Sequence, residues 1–126
     1  MAQKILIVED NEKNRKLARD ILQYHGFDIL EADNAESGIE IANRESPALI
    51  LMDFHLPGMN GIEALAALRS GEATRGIPVM AVTASAMTEE RVKIIAAGFD
   101  GLQTKPIHLK EFVEAVKILA AKGSAR

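Results

Sequence analysis

Five short runs along the chain favour strands: Lys4–Val8, Asp28–Ala32, Leu49–Met52, Val79–Thr83 and, the weakest, Gly101–Thr104. The first, third and fourth are almost continuously apolar, as expected of strands covered on both faces. Between the runs, apolar positions return at helical spacing. Ala35, Gly38, Ile39 and Ala42 form one such stripe, and Ile62, Leu65, Ala66 and Leu68 another. The clearest comprises Leu109, Phe112, Val113, Val116, Leu119 and Ala120. His25-Gly26, Ser46-Pro47, Gly71 and Ala97-Gly98 read as helix stops. Strict strand–helix alternation predicts an α/β fold, a parallel sheet with helices on both faces and right-handed crossovers. The weak fifth strand and a sandwiched first one suggest five strands in the order 2-1-3-4-5. The alternation supports this class without fixing the permutation.

Composition narrows the functional classes. A chain of 126 residues with 48% hydrophobic and 26% charged residues suits one globular domain. Residues 1–122 are expected to form it, with 123–126 a short flexible tail. The net charge of −3 and the lack of a basic cluster argue against general nucleic-acid binding. No cysteine is present, which excludes disulfides, thiol catalysis and zinc–thiolate sites. The sequence shows neither a signal-peptide pattern nor an apolar stretch long enough to span a bilayer, so the expectation is a cytoplasmic protein without membrane contact.

Chemistry concentrates where the predicted strands end. Glu9 and Asp10 directly follow Ile5-Leu6-Ile7-Val8, and Asp53 follows Ile50-Leu51-Met52 in the same way. In an open parallel sheet such ends share one edge, where ligands bind. Three carboxylates gathered there resist ionising together, and a Mg²⁺ ion resolves the conflict. Asp10 would bind the ion directly, and the longer Glu9 through water. Asp53 would be the nucleophile that forms an aspartyl phosphate. Thr83 and Lys105 end the fourth and fifth strands, offering a hydroxyl donor and a compact positive charge for a phosphoryl group. Pro106 keeps Lys105 out of helical geometry. Any one of these residues alone reads as an ordinary loop, cap or surface group; their joint placement at several strand ends points to phosphoryl chemistry.

These residues resemble the response-regulator receiver domains. The resemblance rests on Ile5-Leu6-Ile7-Val8-Glu9-Asp10-Asn11, Leu49-Ile50-Leu51-Met52-Asp53, Leu56-Pro57-Gly58-Met59-Asn60-Gly61, Val82-Thr83-Ala84 and Thr104-Lys105-Pro106, in the family's order and across nearly the whole chain. Asn11 and Asn14 resemble residues of phosphorelay and hybrid-kinase receivers, and the overall pattern is similar to single-domain regulators. The resemblance implies a doubly wound (βα)5, flavodoxin-like fold. It also implies that Asp53 takes phosphate from a histidine kinase or histidine phosphotransfer protein. Glu9, Asp10, Asp53 and the carbonyl of His55 would surround Mg²⁺. Thr83 would swing toward the phosphoryl group, Lys105 would pair with it, and His55 and Ser85 would tune its lifetime. Leu102 stands where the family usually carries an aromatic switch, and leucine cannot supply the same buried-to-exposed ring movement.

A domain of this kind acts through contacts with a downstream protein and catalyses only its own phosphoryl transfer and hydrolysis. Helix geometry places Ile94 opposite Val92, Ile95 and Ala96, and Ile118 opposite Val116, making Ile94 and Ile118 candidate contacts. Asn14, Arg15 and Ile107 are candidates for docking the phosphodonor. The alternatives are an unphosphorylated scaffold of the same shape, a receiver excised from a hybrid kinase, and an aspartyl phosphohydrolase. The last normally needs an Asp-x-Asp pair, which Asp53-Phe54-His55 lacks.

Overall fold

All five runs form strands in the computed structural model, which describes residues 2–84, 87–105 and 107–124, apart from the Ser124 side chain. The strands are β1 (Lys4–Val8), β2 (Asp28–Ala32), β3 (Leu49–Asp53), β4 (Val79–Thr83) and β5 (Gly101–Thr104). They alternate with α1 (Glu12–Tyr24), α2 (Ala35–Glu45), α3 (Gly61–Ser70), α4 (Thr88–Ala97) and α5 (Leu109–Ser124). Every strand pair is parallel and the order is β2-β1-β3-β4-β5, as expected.

The pleat divides the core in two. Leu6, Val8, Ile50, Met52, Val79 and Ala81 face the side covered by α2, α3 and α4. Ile5, Ile7, Leu49, Leu51, Met80 and Val82 face α1 and α5, where Leu22, Phe112 and Val116 pack against them. Asparagines cap three helices: the side chains of Asn11, Asn34 and Asn60 accept the backbone N–H of Asn14, Ser37 and Glu63. Asn60 and Glu63 complete a reciprocal capping box. Gly61 lets α3 start hard against the end of β3, since a Cβ there would lie 3.1 Å from the Phe54 Cα.

Three expectations need correction. β3 runs one residue further than the apolar pattern, because Asp53 still pairs with Val82. α5 continues through Gly123 to Ser124, where a tail was expected, and Gly123 packs so closely over Ala48 that a Cβ would run into the Ala48 carbonyl. Nearby, the Gln3 amide donates to the Ala120 carbonyl at 3.0 Å. Finally, α4 presents the opposite face to that expected. Ile94 is fully buried in the core with Phe54 and Phe99, whereas Val92 and Ile95 are 59% and 69% exposed. Val92, Ile94, Ile95, Ala96 and Ala97 surround much of this short helix, so apolar spacing alone did not define its inner face.

Candidate functional site

Strand register builds the site. Val8 lies beside Met52, so Glu9 and Asp53, each one residue later, emerge together at the carboxyl edge. Thr83 pairs with Thr104, which sets Lys105 beyond it, and the Lys105 N–H donates to the Thr83 carbonyl at 2.7 Å. Glu9 and Asp53 are both buried, and Asp10 is exposed. Their ligand oxygens lie within 4.8 Å of one another.

The pocket is short of positive charge. Lys105 Nζ sits 2.7 Å from Glu9 Oε1 and 3.4 Å from Asp53 Oδ2. Backbone donors add to this: the His55 N–H reaches Asp53 Oδ1 at 3.0 Å, and the Asn11 N–H reaches Glu9 Oε2 at 3.2 Å. Even so, burial, reinforced by the adjoining Asp53 carboxyl, pushes the Glu9 carboxyl up to about 7. Burial acts to lower the Lys105 ammonium, but the Glu9 and Asp53 carboxylates outweigh it and hold its pKa above the usual lysine value. An all-oxygen cluster with one lysine and an excess of acid fits a small divalent cation.

Asn14 and Ile107 line a cleft of about 140 Å³ beside Asp53 and Lys105, floored by Leu51, Val82 and Phe112. Arg15 instead turns toward β2, pairing with Glu31 at 3.3 Å and donating to the Glu9 carbonyl at 2.9 Å. Leu102 is half-buried on β5, packed against the core on the α4 side. Ile118 is 60% exposed, as expected, but Ile94 is buried and cannot offer a surface contact. Ser85 and Pro106 lie outside the described residues.

One residue at the site was missed. Glu90, in the first turn of α4, accepts the Thr83 hydroxyl at 2.7 Å, and the same Oε1 lies 2.7 Å from His55 Nε2. The Thr83 hydrogen bond is the main influence holding the Glu90 carboxyl below its usual range; partial burial opposes it and His55 assists. A weak signal was present: Glu90, Ile94 and Ala97 fall at i, i+4 and i+7 and form the inner face of α4.

Fold and edge chemistry together define a phosphorelay signalling domain. Residues 5–117 match the response regulator receiver domain model, and the chain belongs to that family. It is 38% identical to the polar-differentiation response regulator DivK of Brucella anthropi over 117 residues, 93% of this chain and 95% of the relative. The receiver domain of the sensor histidine kinase PA1611 from Pseudomonas aeruginosa PAO1 is 28% identical, with a TM-score of 0.88 over 96% of this chain and 99% of that one. That structure carries a magnesium ion coordinated in its active site cleft. A CheY-like receiver domain protein from Methanospirillum hungatei JF-1, also 28% identical, has a TM-score of 0.86 over 99% of this chain and 98% of its own. Phosphorylation on aspartate and Mg²⁺ binding at an acidic pocket are general properties of this two-component family. No helix among the described residues is long and apolar enough to cross a membrane.

Proposed function

We propose that Asp53 is the phosphoryl acceptor of this receiver and that Glu9, Asp10 and Asp53, with the His55 carbonyl, hold Mg²⁺. The observation that carries this reading is the setting of Asp53, buried among acids with one oxygen held by the His55 N–H and the other facing Lys105. An Asp53 oxygen attacks the phosphorus of a phosphohistidine on a kinase or phosphotransfer protein. The new O–P bond forms as the P–N bond breaks, and its electron pair returns to the imidazole. Lys105 turns its ammonium from Glu9 to a phosphoryl oxygen, and Thr83 supplies a hydroxyl donor to another. A bound Mg²⁺ would offset charge on the transferring group and orient it. Water later attacks phosphorus, releasing phosphate and restoring the carboxylate. The chain therefore catalyses its own phosphorylation and dephosphorylation and is not a turnover enzyme.

Asn14 and Ile107 dock the phosphodonor at the cleft. The exposed apolar residues Val92 and Ile95 on α4 and Ile118 on α5 flank the edge strand β5 and serve the downstream protein partner. A cytoplasmic location accords with partners of this kind. Intact-mass measurement after acetyl phosphate treatment tests the reading. A phosphoryl adduct should form with Mg²⁺, disappear with chelator and be absent from Asp53→Asn. Failure with both acetyl phosphate and a phosphorylated histidine phosphotransfer protein would leave the scaffold reading in its place.

A further inference from the structure

Thr83 and Asp53 stand at adjacent strand ends but belong to opposite faces of the sheet. The pleat continues Val79 and Ala81 into Thr83, toward α4, whereas Leu49 and Leu51 lead into Asp53, toward α1 and α5. Asp53 accordingly lines the cleft with Ile7, Leu51 and Phe112. Thr83 is fully buried and donates its hydroxyl to Glu90 at 2.7 Å. A threonine hydroxyl carries one hydrogen, so it cannot fully serve Glu90 and a phosphoryl group on Asp53 together.

From this geometry we infer that Glu90 is a positioning residue that holds Thr83 on the α4 side until Asp53 is phosphorylated, and that the transfer of the Thr83 hydrogen bond releases the first turn of α4. The inference rests on the phospho-acceptor reading. The Glu90 oxygen that takes the Thr83 hydroxyl also contacts His55, two residues after the acceptor, so one carboxylate ties α4 to both strand-end loops. When the hydroxyl leaves, that carboxylate loses its buried donor and meets new negative charge nearby, and both changes drive it outward. Val92 and Ile95 ride on the same helix and move with it. Leu102 supplies no aromatic ring for this task, and a carboxylate latch needs none.

A thermodynamic cycle on binding of beryllofluoride, a phosphoryl mimic, with Mg²⁺ tests the inference, using NMR to follow both affinity and the α4 amides. Glu90→Met keeps the stem but removes the acceptor, and should tighten binding about tenfold, the low end for a hydrogen bond to a charged group. Glu90→Gln keeps an acceptor without the charge and should stay closer to wild type. In a Thr83→Ala background, Glu90→Met should change affinity little, and beryllofluoride should no longer shift the α4 amides. Unchanged binding by Glu90→Met, equal effects of Met and Gln, or tightening that persists without the Thr83 hydroxyl would overturn the latch. A wild-type chain that binds no beryllofluoride would overturn the phospho-acceptor reading and the latch with it.

Discussion

At the acid pocket a single lysine faces an excess of carboxylate, and protons make up part of the difference. Glu9 is pushed up to about 7 from an ordinary 4.5, so between those values the folded chain keeps a proton that the unfolded chain has released. This contribution is intact below about pH 4.5 and is lost as pH climbs through about 7. Metal-free protein should therefore lose stability over that window relative to Glu9→Gln, as read by urea unfolding in chelator. Saturating Mg²⁺ takes over the proton's role and should remove the difference in slope. Lys105→Met should cost about 2 kcal/mol near neutral pH without metal, less than a fully buried pair because Lys105 keeps 20% exposure. The same comparison at about pH 5 should show a smaller loss, since Glu9 is then largely protonated. Glu9, Asp10, Asp53, Thr83 and Lys105 were legible in the sequence because each follows or ends a strand-forming run. Glu90 was not, because its place depends on how α4 is rotated, and the spacing it shares with Ile94 and Ala97 competes with other apolar spacings on the same helix.

Among the elements, α4 separates what periodicity can and cannot decide. Its stop at Gly98 follows from the sequence, and Gly98 adopts φ 101° at the C-cap. Its inner face does not, because apolar residues occupy several sides and the charged Glu90 belongs to the face turned inward. Ile94→Ala should cost about 3 kcal/mol by opening a cavity beside Phe54 and Phe99, whereas Ile95→Ala should change stability by less than about 0.5 kcal/mol. Denaturant melts of the two variants distinguish the observed face from the reverse one. The start of α3 is equally constrained. Gly61→Ala would bring a Cβ to 2.9 Å from Phe54 Cδ1 and 3.1 Å from its Cα, so a loss of about 1–3 kcal/mol is expected in the same assay. Because Phe54 follows Asp53, the variant should also slow phosphorylation by acetyl phosphate, measured as initial rate by intact mass.

For the molecule as a whole, alternation of strands and helices was enough to predict a parallel doubly wound sheet, but strand neighbours are long-range choices that alternation leaves open. The structure settles them by placing β1 and β3 side by side, which brings the acids together. Metal binding should then act on the entire fold: Mg²⁺ at about a hundred times its Kd adds about 2.7 kcal/mol to stability by mass action. Thermal melts should show this gain in wild type and its loss in Asp10→Ala.

The pairing of Gln3 with α5 and the seating of Gly123 over Ala48 fasten both ends of the described chain to the amino edge of the sheet. The acid pocket opens at the other edge, about 17 Å away across strands of five residues. An affinity tag, fluorophore or surface linkage attached through either end therefore leaves the pocket facing solution. Immobilised protein should capture phosphodonor equally well from either orientation, a convenience for binding work that arises from where two backbone segments meet.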